Sequence, residues 1–322
     1  MYKINLDENK ERYRELCNNE DSIPLFCKSW WLDSVADNEW NVVLYESKGK
    51  VIGALPYIKI KRFGFTSISQ PVLTQHLGPW LKDFEDKVST KLSREKEILQ
   101  YLFSNLPPFS KYSQNWSHIN SNWLPLYWLG YQQTTRYTYR IDNLKNLDEV
   151  WQNFDSKTRN EIRKAESRYN LIIKEDLDFE IFFNLNTKVF SRQNLDLPYS
   201  ADLVKNIYNN CKNNNCIKTF IAVDSSNAYH AGVLVIWDKK STYYLMGGGD
   251  PNLRNSGATS LCMWNAIKFA ASVSDSFDFE GSIIEPIEKF IRGFGAKQTP
   301  YFYVWKFNSS ILEMLSIIKK IF

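Results

Sequence analysis

The chain has 322 residues, 43% hydrophobic, 24% charged and 15% aromatic, enough for two domains or one large one, which excludes both a disulfide-stapled miniature scaffold and a disordered chain. Forty Lys and Arg against 36 Asp and Glu leave a net charge of +4, too little for a protein that lives by wrapping DNA. Five cysteines, an odd number without CxxC spacing, suggest neither a disulfide framework nor a four-ligand zinc site and fit a reducing compartment.

The N-terminus, MYKINLDENKERYREL, is charged throughout and lacks the apolar run of a signal peptide, and the longest apolar stretch, Ala231 to Trp237, is too short to span a bilayer; a cytoplasmic protein is expected. Ser29 to Ala36 reads as a short helix. Trp40 to Tyr45 and Val51 to Ile60 read as a hairpin turning at Ser47-Lys48-Gly49-Lys50, where Gly49 accepts the positive φ of a tight turn. Gln70 to Trp80, with two prolines and a glycine, is an ordered loop. Leu92 to Leu106 is a helix stopped by Pro107 and Pro108, and Asn115 to Ile119 a strand.

From Arg136 the texture changes. Tyr137 to Ile141 alternates like a strand, and Asn146 to Tyr169 carries a charged helical period. Helices over Phe179 to Phe190 and Ala201 to Asn213 follow, then three strands in succession, Ile217 to Val223, His230 to Trp237 and Thr242 to Met246. Gly247-Gly248-Gly249-Asp250 leads to a helix over Ala258 to Ala271, a strand (Phe277 to Glu280), a helix (Ile283 to Phe290) and a last strand (Tyr301 to Phe307). This order is mixed α+β and departs from a doubly wound dinucleotide fold. VVLYESKGKVIGALP and FIAVDSSNAYHAGVLV echo each other as strand, polar turn and strand with an internal glycine, Gly53 or Gly232, which favours a duplicated domain. The expected division is 1–135, 136–308 and a C-terminal amphipathic helix over 309–322.

The segment DPNLRNSGATSLCMWNAIKFAA carries the most chemistry. Backbone N–H groups at the helix start after Gly257, with the helix dipole, favour a phosphate or carboxylate; a loop and N-cap without a ligand is the other reading. Arg254-Asn255-Ser256-Gly257-Ala258-Thr259 resembles the pyrophosphate loop of the GNAT superfamily of acyltransferases, whose pattern is Arg or Gln, two residues, Gly, one residue, then Gly or Ala; Thr259 departs from it at the last position. SWWLDSV, VIGALPYIK and QPVLTQHLGP, then SKTRNEIRKAE, FDFEGS and IEKFIRGFGAK, resemble the FemAB-like branch, in which two GNAT-type domains are fused, each a mixed, mostly antiparallel sheet flanked by helices.

The resemblance implies transfer of an acyl group from acyl-CoA, with acetyl-CoA as the first donor to try, to an amine on an amino sugar or another cell-envelope precursor. It also implies two rivals: an aminoacyl-tRNA-dependent enzyme acting on a peptidoglycan precursor, and a binding module that kept the fold without the chemistry. The tRNA-using relatives commonly carry Phe-Lys near the C-terminus where Phe290 is followed here by Ile291, which lowers the weight of tRNA. Residues 254 to 259 would bind the donor's phosphates. No metal is implied.

Amine attack on a thioester needs a base, donors for the oxyanion and an anchor for the donor. Asp278 and Glu280 share one face of a strand, opposite Phe277 and Phe279, and Glu280 at the strand's end is the leading base candidate. A structural carboxylate capping the helix near Ile283 is its other reading. Asp250 is the second carboxylate candidate, or a turn former before Pro251. His76 in the proline-rich loop could be a general base or line the acceptor cleft, with a structural histidine as its other reading. Arg159 and Arg163 could hold phosphates of a nucleotide-linked or lipid-linked acceptor or of tRNA, as could Arg192 and Arg292, or simply lie on solvated faces. The stripe Ile311, Leu312, Met314, Leu315, Ile318, Ile321 and Phe322, beside Lys319 and Lys320, predicts a helix that packs on its own domain or touches the inner face of a membrane.

Overall fold

The computed structural model describes residues 6–321. They form two compact units, one running to Arg136 and taking in the chain from Pro300 on, the other spanning Tyr137–Thr299. The first holds α1 (Leu6–Asn19), α2 (Ser29–Ala36), β1 (Trp40–Ser47), β2 (Lys50–Arg62), β3 (Phe65–Ser69), the short β4 (Trp80–Leu81), α3 (Val88–Ser104), β5 (Lys111–Asn115) and α4 (Leu124–Tyr127). Strand β6 (Gln132–Ile141) leads into the second unit, with α5 (Leu147–Asn153), α6 (Ser156–Ser167), β7 (Ile172–Glu175), α7 (Phe179–Arg192), α8 (Ala201–Asn213), β8 (Ile217–Val223), β9 (Tyr229–Trp237), β10 (Ser241–Gly249), α9 (Ala258–Ala270), β11 (Ser276–Asp278) and α10 (Glu285–Arg292). Strand β12 (Lys297–Phe307) and α11 (Ser310–Ile321) complete the described chain.

The two units repeat one pairing scheme. In the first, β1–β2 and β2–β3 are antiparallel, β3–β5 parallel and β5–β12 antiparallel. In the second, β8–β9 and β9–β10 are antiparallel, β10–β11 parallel and β11–β6 antiparallel, with β7 added outside β8. In each, a helix, α3 or α9, makes the crossover that a parallel pair requires. The hairpin echo in the sequence therefore marks a duplicated α+β domain. Its two glycines serve different packing: a Cβ on Gly53 would lie 2.4 Å from Ile98 of α3, whereas one on Gly232 would lie 3.1 Å from Phe182 of α7.

Each unit has its own core. Leu55, Tyr57, Ile68, Leu99, Phe103, Tyr112 and Trp116 fill the first, and Phe154, Ile162, Phe220, Val233, Met263, Ile267, Phe277 and Phe279 the second. Phe277 and Phe279 thus turn to the α9 side of their sheet, as the alternation of the strand requires.

Several elements differ from the sequence reading. The last strand is shared: its residues Pro300 to Phe307 belong to the first unit, where Tyr303 to Phe307 pair with β5, so the division does not fall at 308. The helical period over 146–169 is two helices, because Asp155 steps out of the helix and caps α6 by accepting from the Thr158 amide at 2.6 Å. The strand expected at 115–119 lies at Lys111–Asn115. Helix α1, whose Tyr13 is fully buried and donates to the Cys27 carbonyl at 2.7 Å, has no counterpart in that reading. In α11, Ile311, Met314, Leu315 and Ile318 are exposed. Phe322 and the side chains of residues 319–321 lie outside the described residues.

Candidate functional site

Strands β10 and β11 run parallel for three residues only, Ser241–Tyr243 against Ser276–Asp278. Beyond that point β10 continues to Gly249, and its pairing with β9 slips one residue between Tyr244 and Met246, a bulge at Leu245. On the other side β11 ends abruptly: Glu280 and Gly281 both take positive φ, 60° and 62°, and turn the chain away. The parallel pair therefore parts into a mouth at the carboxyl end of β10.

Asp278 holds the stem of this mouth. It is buried, accepts from Arg140 Nη1 at 2.9 Å and from the Glu280 amide at 2.8 Å, and bonds Thr138 Oγ1. Arg140 also reaches Ser276 Oγ at 2.8 Å and Asp142 at 3.1 Å. These bonds satisfy a carboxylate that would be costly to bury alone. Asp278 is a structural ion-pair partner, and Glu280 is left as the carboxyl at the mouth.

Glu280 is half-buried with its Oε1 out of solvent. Burial, then the nearby negative charge of Asp278, pushes its carboxyl well above the usual range. Burial raises the phenols of Tyr243 and Tyr244, with Asp238 and Asp278 next for Tyr243, Cys262 next for Tyr244, and Glu280 adding a smaller contribution to both. The Tyr244 hydroxyl sits against Gly247, where a Cβ would come 2.1 Å from it.

The three glycines 247–249 complete β10. A Cβ on Gly248 would lie 2.4 Å from backbone atoms of Leu185 and Asn186, so glycine lets α7 lie directly on β10. Asn186 then donates to the Gly247 carbonyl and accepts from the Tyr199 hydroxyl, both at 2.8 Å.

The loop after β10 is anchored near both of its ends. Asp250 pairs with Lys188 of α7 at 2.7 Å and accepts from the Asn252 amide at 2.9 Å; these bonds, Lys188 first, hold its carboxyl below the usual range. The Ser256 hydroxyl donates to Leu253 O at 2.8 Å and meets His230 Nδ1 at 3.0 Å. His230 Nε2 in turn meets Asp224 Oδ2 at 3.1 Å, and the other Asp224 oxygen accepts from the Ser226 and Ala228 amides. Bonds from Ser226, His230 and Ala228 keep Asp224 below the usual carboxylate range. A pocket of about 450 Å³ opens beside this loop, with Asn184, Lys188, Tyr229, Asp250 and Leu253 on its wall.

Gly257 makes the turn into α9 at φ +78°, and a Cβ there would sit 2.2 Å from the Glu161 carbonyl of α6. No side chain caps the start of α9, and the helix buries its own Leu261, Cys262, Met263, Ala266 and Ile267 in the core. Arg254 and Asn255 are exposed beside that terminus and Thr259 is half-buried. An uncapped helix start with an exposed arginine is an anion site in form.

The remaining sequence candidates are placed elsewhere. Arg159 is spent on backbone carbonyls at the end of α5, Gln152 O at 2.8 Å and Phe154 O among them. Arg163 lies over the Trp151 ring, 5.7 Å from its centroid, Arg192 is exposed at the end of α7, and Arg292 pairs with Glu288 at 3.3 Å. His76 is buried in the first unit, edge-on to Phe26. There the loop matching 250–257 is residues 70–87, filled by Leu77 and Trp80, and Trp80 donates to Ser22 Oγ at 3.0 Å. The Asp224–His230–Ser256 chain escaped the sequence reading, because its members lie 6 and 26 residues apart with no motif joining them.

Residues 152–282 match the family model for the acetyltransferase (GNAT) domain. This segment is a GNAT domain. Over the whole chain the structure is similar to the crystal structure of FemX, with a TM-score of 0.63 and 15% identity, covering 94% of this chain and 96% of that one. It is also similar to the C-terminal domain of a putative lysylphosphatidylglycerol synthetase from Agrobacterium fabrum, TM-score 0.59 and 10% identity over 97% and 95% of the two chains. L-PGS from Bacillus licheniformis follows, TM-score 0.56 and 9% identity over 99% and 98%. No curated protein matches in sequence. The chain has the FemAB-like fold of the GNAT superfamily, with two GNAT-type domains, and this acyltransferase fold supports acyl transfer as its activity.

Proposed function

We propose that the GNAT unit transfers an acyl group from acyl-CoA to the amine of an amino sugar or other cell-envelope precursor. The observation that carries this reading is the uncapped start of α9 behind Arg254 and Gly257, placed at the end of a β10 strand that has parted from β11. The donor's phosphates fit there: Arg254 supplies a charge, and the Ala258, Thr259 and Ser260 amides supply oriented donors. The donor supplies a thioester carbon, at which the N–C bond forms as the C–S bond breaks.

Glu280 takes the proton that the attacking amine loses. A carboxyl raised by burial is matched to proton transfer nearer neutral pH than an ordinary glutamate. Asp250, already bound by Lys188, holds the loop to α7 and is a poor proton acceptor. The surroundings of Phe290 support acyl-CoA over charged tRNA: Ile291 is buried in the core, and Arg292 is paired with Glu288.

Incubation of the protein with an amino-sugar panel and, in turn, acetyl-CoA, longer acyl-CoAs and charged tRNA, read by free thiol release and product mass, tests the reading. Acyl-CoA turnover is expected. Turnover with charged tRNA alone would replace it with aminoacyl transfer, and turnover with none would leave a binding module.

A further inference from the structure

One edge of the first unit's sheet has no task in acyl transfer. Register places Ile60 of β2 opposite Ser67 of β3, Ser67 beside Lys111 of β5, and Lys111 opposite Phe307 of β12, one line across four strands. The turn joining β2 to β3 and the start of α11 therefore leave the sheet at the same edge. Backbone bonds close this edge, from Ser110 N to Thr66 O at 2.7 Å and from Asn308 N to Ser110 O at 2.9 Å.

The hairpin tip carries Lys59, Lys61 and Arg62, all exposed, and ends in Phe63, which is 84% exposed with Arg62 stacked 5.0 Å from its ring centre. Lys111 lies over Phe307, 5.5 Å from its ring centre. Helix α11 adds Ile311, Met314, Leu315 and Ile318, spaced by three and four and each at least 44% exposed. Glu313 is the acidic group of that helix, on the opposite face, and the sequence continues with Lys319 and Lys320. Residues 51–82 and 98–141 contain no Asp or Glu, so β2, β3 and β5 bring only basic charge to this edge, while the exposed Asp37 and Glu39 lie before β1, whose Trp40 pairs with Ile58.

Large apolar side chains left in water by two separate elements, each flanked by basic residues, match the two components of an anionic bilayer surface. We propose that this edge docks on anionic phospholipid, with Phe63 and the α11 stripe entering the acyl boundary while Lys61, Arg62 and Lys111 meet headgroup phosphates. Neither the donor nor the acyl acceptor enters this inference.

Co-sedimentation with vesicles of phosphatidylcholine alone or mixed with phosphatidylglycerol tests it. The intact protein should bind the mixed vesicles at low salt, release at high salt, and ignore pure phosphatidylcholine. Lys61→Ser with Arg62→Ser should lower partitioning about thirtyfold, the factor for two basic side chains at an anionic surface. Met314→Glu with Leu315→Glu should abolish binding while circular dichroism and melting stay unchanged, since both residues are exposed. No binding of the intact protein to anionic vesicles, or equal binding by the variants, overturns the proposal. So does sedimentation velocity showing a dimer that the α11 variant splits, with no vesicle binding by the intact protein.

Discussion

Gly257 offers a test of the donor loop whose size follows from geometry. Gly257→Ala would place a Cβ 2.2 Å from the Glu161 carbonyl while keeping φ at +78°. A left-handed alanine costs about 1–2 kcal/mol before any contact is considered. The carbonyl belongs to α6 and cannot swing aside, so the loop or the start of α9 must retreat by about 1 Å to reach a tolerable contact. A shift of that order in a positioning element is enough for roughly a hundredfold loss of rate. Gly49→Ala is the matched control: φ is +74°, and nothing lies within 4 Å of the added carbon. Urea melts should show a loss of about 1–2 kcal/mol for Gly49→Ala and clearly more for Gly257→Ala. Initial rates against acyl-CoA concentration should show a raised donor KM or lowered kcat for Gly257→Ala alone. Equal losses of stability with unchanged donor kinetics in both variants would refute the reasoning.

Three further variants test the site. Glu280→Gln should cut turnover by about 10²–10⁴ with donor binding retained. Because the folded Glu280 carboxyl is raised above its ordinary value of 4.5, its contribution to stability is complete below that value and is lost as pH rises through the folded pKa; the melting temperature of Glu280→Gln relative to the parent should therefore climb from acidic to alkaline pH, and a pH-independent difference would count against the shift. Arg254→Ala should weaken donor binding by about 1.5–3 kcal/mol without lowering the melting temperature, as measured by calorimetric titration. Asp278→Ala, which takes from the buried Arg140 its buried counter-ion and leaves it Asp142 and Ser276, should cost about 3–5 kcal/mol in denaturant melts, and a loss near zero would show that the pair is dispensable.

Local chemistry made much of this protein legible. Polar turns between β-rich runs place the β1–β2 and β8–β9 hairpins, and Ser200, which caps α8 by accepting from Leu203 at 3.2 Å, marks its start at Ala201. The Arg254–Thr259 segment carried the helix start that the structure places at Ala258, because a glycine turn before an apolar helical period is itself a local signal. Glu280 could be singled out from its strand position, but its raised carboxyl could not: that depends on burial and on Asp278, a neighbour set apart by Arg140 and Thr138 from another strand.

What the tertiary structure alone decided is non-local. That Tyr303 to Phe307 pair with β5, some 190 residues earlier in the chain, depends on which edge is open when the strand arrives, and their own residues do not encode it. The strand read as ending at Met246 runs on through the glycines to Gly249, and only the approach of α7 shows why Gly248 has no side chain. His230 was one histidine in an apolar strand until folding set it between Asp224 and Ser256. Periodicity, caps and turns act over a few residues and are written in the sequence; strand partners, close backbone approaches and shifted carboxyls arise when distant segments meet, and only the packed chain holds them.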